Sequence, residues 1–448
     1  MTDPLPAGTV GAGPDRTDRR SRTAALRAGI LAFFVDQLDI YLPVLVLASI
    51  GGYFVPADVS ASTSAVLTAL VFAATLVTRP LGAMVFGHRA DIRGRVRTTQ
   101  IATAGFGVVT LLIAALPGAG TAGYFSIGAL IALRAVNGVF LGGAYTAAVP
   151  LAMEWSAPRR RGVVAGLVLA AAPTAYATLA LVTLLLQQLI PSDGSDSAYA
   201  RWGWRIPFVV VGLLAFALVV HYGRRVREPE TRRSSARERS PLAQLLTGPH
   251  RRALLQVLVL MSGVWLANNM VSAVLPGLLG SRLGLTGPQV SLTMAVEAIA
   301  LALSLPLWGA LSQRWGRRPF YLGYGVVMAV LGSGLYLLLM TARPGPAGAL
   351  VLVAVLGVLT LGTLGPIAAY LTERFPSQLR ATGFGVGYSL ALVIPAFYAF
   401  YLSGLGRVLP DGFAPPVLVA LAGILVLVGA ALGPETRDVD LAANDRLP

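Results

Sequence analysis

The chain of 448 residues is 55% hydrophobic and only 12% charged, with a mean hydropathy of +0.71. That is too little charge to cover a soluble protein of this length, and the apolar residues come in long runs, so a water-soluble fold is excluded. The formal net charge of +15 is carried by arginine alone, all 35 basic residues being Arg.

Residues 1–24 are polar and rich in Pro, Gly and Arg, without the apolar core of a signal peptide, and read as a disordered cytoplasmic tail. Twelve apolar segments follow, each near the roughly 20 residues that span the hydrocarbon core. They run approximately 25–52, 63–86, 98–117, 122–153, 162–190, 205–223, 251–280, 289–312, 319–340, 346–372, 382–406 and 414–433. With these segments, 28 of the 35 arginines fall on one side of the membrane and five on the other. Such a bias marks cytoplasmic loops, so the charge is topological and a nucleic-acid partner is not expected. The pattern predicts a multi-pass bacterial inner-membrane protein with both termini in the cytoplasm.

The polar stretch 224–250 divides the chain into a six-helix half at 25–223 and another at 251–434, with residues 435–448 as a second cytoplasmic tail. The halves echo each other. Gly87-His-Arg-Ala-Asp91-Ile-Arg-Gly94-Arg95 follows the second segment, and Gly309-Ala-Leu-Ser-Gln313-Arg-Trp-Gly316-Arg317 follows the eighth. Glu154-Trp-Ser-Ala-Pro158-Arg-Arg-Arg161-Gly162 likewise echoes Glu373-Arg-Phe-Pro376-Ser-Gln-Leu-Arg380. The two offsets, 222 and 219 residues, nearly agree, which argues for duplication of a six-helix unit. Parallel halves of this kind place a substrate site near the midplane between them.

Ionisable groups inside a membrane are costly unless paired or wet, so each is a functional candidate. The candidates are Asp36, Asp39, Arg79, Arg134 and Glu297. Asp36 and Asp39 lie three apart on one helix face, with Asp36 about 18 Å along it. Two buried carboxyls so close suit proton coupling; the alternative is static ion pairing with Arg134. Arg134 needs an acidic partner or an anionic ligand, and serves either as counter-charge to the pair or as a clamp on a substrate carboxylate. Glu297 could pair across the halves, recognise a cationic group, or be inert. Tyr41, Asn137, Tyr145, Trp265, Asn268 and Asn269 lie at midplane depth and, with Glu297, form the candidate substrate-binding set, against the alternative of packing. Arg79 is read as lying near the cytoplasmic end of its segment. It is grouped with Gly87, Asp91, Gly94 and Arg95 as a gate in which Asp91 accepts from N–H groups at a helix N-terminus and pairs with an Arg.

The Gly-x-x-x-Asp-x-x-Gly-Arg loop at 87–95 resembles the signature of the major facilitator superfamily. Arg79-Pro-Leu-Gly82, Leu141-Gly-Gly-Ala-Tyr145-Thr-Ala-Ala148, Trp202-Gly-Trp-Arg-Ile-Pro-Phe208 and Gly316-Arg-Arg-Pro-Phe320 resemble its metabolite:proton symporter branch, which includes proline/betaine, α-ketoglutarate and shikimate permeases. Asp36-x-x-Asp39 is similar to the Glu-x-x-Asp of the proline/betaine member. The resemblance implies an all-α fold of twelve transmembrane helices and a gate that latches the outward-open state. Three positions depart from it: Ala144 stands where the branch commonly has Glu, Gln313 where Asp is expected, and Glu297 has no counterpart there.

With no Cys, and with His88, His221 and His250 scattered, no thiolate or His-rich metal site is expected. Neither a nucleotide loop nor a nucleophile–base constellation is present. The chain therefore reads as a transporter, not an enzyme, without cofactor or metal, using a small-molecule substrate and protons and acting as a monomer in the bilayer. Proton-coupled symport of an organic acid, zwitterion or compatible solute is the leading expectation. A proton-driven exporter of drugs or natural products on the same fold is the alternative.

Overall fold

The computed structural model describes residues 16–191, 197–226 and 240–441. Within them, twelve helices are long and apolar enough to cross a bilayer: α1 (Arg22–Leu45), α2 (Val66–Arg93), α3 (Arg95–Ala114), α4 (Tyr124–Glu154), α5 (Pro158–Leu189), α6 (Tyr199–Arg225), α7 (Arg251–Ser281), α8 (Gly287–Trp315), α9 (Arg317–Ala342), α10 (Pro346–Glu373), α11 (Arg380–Leu405) and α12 (Ala414–Ala431). Each expected segment corresponds to one helix. Hydrocarbon offers no partner for a free N–H or C=O, so an apolar run this long closes its hydrogen bonds within itself.

Glycine sets how closely the helices approach. A Cβ on Gly82 or Gly142 of α2 and α4 would run into the carbonyl of Val139 or Arg79 on the facing helix. These two helices therefore pack backbone to backbone, as small residues allow in membranes. One apolar cluster lies within the first six helices and includes Val35, Phe106 and Trp204. A larger one fills the last six and extends across to Phe33, Tyr145 and Val168 of the first six.

The later helices are interrupted at mid-depth. A π-turn covers Asn269–Val274 in α7 and another Met328–Gly332 in α9, while α10 tightens to a 3₁₀ turn at Gly362–Leu364. In α11 the helix breaks after Leu390 and resumes through a 3₁₀ turn at Pro395–Phe397. Such irregular backbone is tolerated at membrane depth where protein or a polar cavity satisfies it.

One tail expectation changes. Residues 16–24 continue the first helix, which runs Arg16–Leu45, while residues 1–15 lie outside the described ones. The second tail packs onto the linker end of the bundle as far as Leu441; 442–448 lie outside the described residues, as do 227–239 of the linker. The start of the first helix, the linker and this second tail share one end of the bundle, termed the linker face below.

Candidate substrate and coupling site

The two neighbouring aspartates of α1 have separate partners. Asp39 is saturated: it accepts from Arg134 at 3.1 Å, from Asn137 Nδ2 at 2.6 Å and from the Thr110 hydroxyl. All four residues are fully buried between α1, α3 and α4. Nε and one terminal nitrogen of Arg134 have no acceptor of their own, so the Asp39 carboxylate carries its neutralisation. Truncating one member of such a pair strands the other charge, at a cost of about 3–5 kcal/mol. Asp39→Asn is therefore expected to lower the thermal melting point of the purified protein sharply; an unchanged melting point would refute the structural role.

Asp36 is held loosely. One carboxylate oxygen accepts from Arg79 at 3.3 Å, and the other, Oδ1, is buried with no partner. Arg79 lies midway along α2, about 20 Å from either end at 1.5 Å per residue. Its guanidinium sits 4.9 Å from the centroid of the Tyr145 ring, a cation–π contact. The Tyr145 hydroxyl in turn hydrogen-bonds Ser389 of α11, so the chain of contacts Asp36–Arg79–Tyr145–Ser389 runs from the first half into the second. Around it stand Tyr388, with its ring 5.2 Å from that of Tyr145, and Trp265, 5.1 Å from Tyr388 and donating its indole N–H to the Tyr388 carbonyl at 2.8 Å. Tyr41 and Tyr176 meet edge to face at 5.2 Å, bringing α1 and α5 together beside this group.

The linker face is closed by two related latches. In the first, Asp91 accepts from the backbone N–H of Ala381 at 3.0 Å and of Thr382 at 2.7 Å, at the N-terminus of α11, and from the Thr382 hydroxyl at 2.7 Å. Arg95 pairs with Glu154, which also takes Arg380 at 2.5 Å. In the second, Gln313 accepts from the N–H of Gly162 at 3.2 Å, at the start of α5. Glu373 there takes Arg317 through two bonds of 3.0 Å and Arg161 at 3.2 Å. Gly94 (φ 108°) and Gly316 (φ 106°) form the turns into α3 and α9, backbone that only glycine adopts readily. The segment after α12 lies across this assembly: Glu435 caps the N-terminus of α9 by accepting from Arg317 and Arg318, and the Val439 carbonyl accepts from Arg161 at 2.9 Å.

A family model described as the Major Facilitator Superfamily matches residues 29–400, and again 257–438. The chain belongs to the major facilitator superfamily. Within this superfamily it is 29% identical to the inner membrane metabolite transport protein YhjE of Escherichia coli over 97% of this chain and 99% of that one. It is also 29% identical to the α-ketoglutarate permease of the same organism, covering 86% of this chain and 88% of the permease. Its fold is similar to that of the proton:xylose symporter XylE of E. coli, with a TM-score of 0.72 at 16% identity over 94% of this chain and 97% of XylE. Relatives named as shikimate and proline/betaine transporters match as well, and together these place the chain in the metabolite-transporting branch. This superfamily member is a multi-pass membrane transporter of metabolites and not an enzyme.

Several expected site residues sit elsewhere than the sequence suggested. Asp36 and Asp39 do not form one carboxylate site, because the carboxyls reach different neighbouring helices. Arg134 and Asn137 belong to the Asp39 cluster inside the first half. Arg79 is not at the end of its helix with the gate; its apolar surroundings and the basic loop at 89–97 masked how far α2 extends. Gly87, Asp91, Gly94 and Arg95 do gather at the linker face, where a Cβ on Gly87 would lie 2.9 Å from Thr382 Cα. Tyr145 and Trp265 stand at the midplane group; Asn269 donates to the Pro395 carbonyl at 2.9 Å and bridges the break in α11; Asn268 is half-buried one residue before the π-turn. Sequence reasoning passed over Tyr176, Tyr388 and Ser389, which no motif distinguishes from packing residues. The partners Arg161, Arg317, Glu373 and Arg380 were within reach, since the two repeat offsets align them with Arg380, Arg95, Glu154 and Arg161.

Proposed function

We propose that the protein is a proton-coupled symporter that imports a small polar metabolite, an organic acid, zwitterion or compatible solute, by alternating access. The carrying observation is the contrast at α1: Asp39 has three donors, whereas Asp36 has one long contact and a bare oxygen. An ion pair with so few bonds is the one a proton can dissolve. Protonation of Asp36 removes the counter-charge of Arg79, which stays cationic at any physiological pH and then requires another anion. A substrate carboxylate supplies it, so proton and anion load together and the site remains close to neutral in both states. Release reverses the order.

The Arg79–Tyr145–Ser389 contacts connect this exchange to the boundary between the halves, and the two latches hold the linker face shut meanwhile. Arginine bias places the linker face, and both termini, in the cytoplasm of a bacterial inner membrane. The gate residues Gly87, Asp91, Gly94 and Arg95 then close the path to the cytoplasm. A monomer is the transporting unit in this reading.

The test is purified protein in proteoliposomes enclosing a pH-sensitive dye, challenged with carboxylates, betaines and amino acids. Symport gives internal acidification on addition of substrate. Substrate-driven alkalinisation would indicate an exporter working as an antiporter, and absence of any proton movement with a transported substrate would overturn the proposal.

A further inference from the structure

Glu297 is the one intramembrane carboxyl that this scheme leaves unused. It lies in α8, about 15 Å from the end at Gly287, and is 5% exposed. Among the described residues no arginine or histidine forms an ion pair with it, Oε1 is buried without a hydrogen-bond partner, and no protein group donates to Oε2. Space has been made for it: a Cβ on Gly357 of α10 would collide with the carboxyl. From the opposite half Tyr41 and Tyr176, whose rings meet edge to face at 5.2 Å, lie close enough to feel its charge, Tyr176 being on α5, which packs backbone to backbone along α8 at Gly166; Tyr41 also feels the charge of Arg79. A line of polar groups thus runs from Arg79 through Tyr41 and Tyr176 to Glu297, from one half of the protein to the other.

A carboxyl seated in a made-to-fit recess without a cation is costly as an ornament of packing, since intramembrane acids otherwise pair. The three other arginine–carboxylate centres in the bundle interior and at the linker face are all internally compensated. What Glu297 lacks is a mobile N–H donor of positive charge, and the aromatic rings of Tyr41 and Tyr176 beside it favour the same kind of group. We infer that Glu297 receives a protonated amine of the substrate, so that the transported metabolite is an amino-carboxylate whose two ends are read by opposite halves. This rests on the proposed function only in taking Arg79 as the carboxylate end. Bridging the halves with a single molecule also gives binding a direct lever on their relative movement.

Ligand stabilisation of the purified full-length protein in detergent tests this without any proton gradient. The probes are matched pairs that differ by one amino group: succinate and aspartate, pentanoate and 5-aminopentanoate. The aminated member of at least one pair is expected to raise the melting temperature at a tenfold or more lower concentration than its partner. Glu297→Gln should remove that ratio, while Glu297→Asp, which keeps the charge, should retain part of it. Equal or stronger stabilisation by the amine-free members, a ratio unchanged in Glu297→Gln, or no stabilisation by any aminated probe would each overturn the inference. Because binding is read at equilibrium, amine selectivity without proton movement in the dye experiment would remove the symport reading and leave this one standing.

Discussion

Asp36→Asn should abolish uphill accumulation of substrate while still permitting exchange of substrate across the membrane. For a zwitterionic substrate, whose entry with one proton carries one net positive charge, a membrane potential of about 120 mV is worth roughly 2.8 kcal/mol per cycle, enough to hold a concentration ratio of about 100. The amide of the variant cannot take up or release a proton, so Arg79 would be without its carboxylate in every state. The substrate anion then compensates Arg79 alone, and the carrier equilibrates substrate without drawing on the gradient. Reconstituted protein would show a final ratio near one, with counterflow of labelled substrate preserved. Accumulation equal to wild type would remove Asp36 from the coupling step. The contrast with Asp39→Asn is diagnostic: there the expected damage is to folding, because Asp39 compensates Arg134 inside the first half and has no bare oxygen with which to trade a proton.

A second large effect is expected where α5 and α8 cross at the linker face. A Cβ on Gly162 would fall on the Gly309 carbonyl, and one on Gly309 on the Gly162 carbonyl, so neither helix has room for a side chain there. Gly166 against Leu305 and Pro306 extends the same backbone contact by a further turn. In Gly309→Leu the two halves cannot meet at this point, and overpacking against backbone costs about 1–3 kcal/mol or more, a roughly 5- to 150-fold shift in population. The shift favours the state in which the linker face is open. Since the chain contains no Cys, a single reporter is clean. Ala381→Cys is suited to this, Ala381 being buried against Ala90 of α2 and Ala147 of α4. Its labelling by a water-soluble maleimide should accelerate by that factor in the Gly309→Leu background, with transport lost. Unchanged labelling would show that the crossing does not govern closure.

The two latches differ in a way that bears on how the face opens. Asp91 offers a full negative charge to the N-terminus of α11, where the helix dipole strengthens the contact. Its counterpart Gln313 offers a neutral amide oxygen to the N-terminus of α5 and leans on Arg317 at 2.8 Å. The second latch recovers strength from Glu373, which binds two arginines and also accepts from the Thr436 hydroxyl at 2.9 Å. The segment after α12 is thereby part of the closed face. The departure at Gln313, conspicuous in the sequence, is thus compensated by residues far along the chain.

Membrane class, the number of spanning helices, the family and the loop residues that meet at the linker face are all legible in the order of amino acids. They follow from local or repeated properties: an apolar run long enough to cross a bilayer closes its own hydrogen bonds, and a duplicated unit announces its loops twice. Which charge compensates which emerges only from the packing of the helices. Asp36 and Asp39 are about 60° apart around α1 at 3.6 residues per turn, close enough to read as one face, yet that angle directs one carboxyl toward α2 and the other toward α3 and α4. A soluble helix reveals its buried side by the polarity of the other, but a membrane helix is apolar toward both lipid and protein, so its azimuth is not written in its hydropathy. For the same reason Arg79 reads from sequence as a helix-end residue, and Tyr388 and Ser389 as packing. The solitary position of Glu297 becomes visible only once the intramembrane arginines have been assigned their partners.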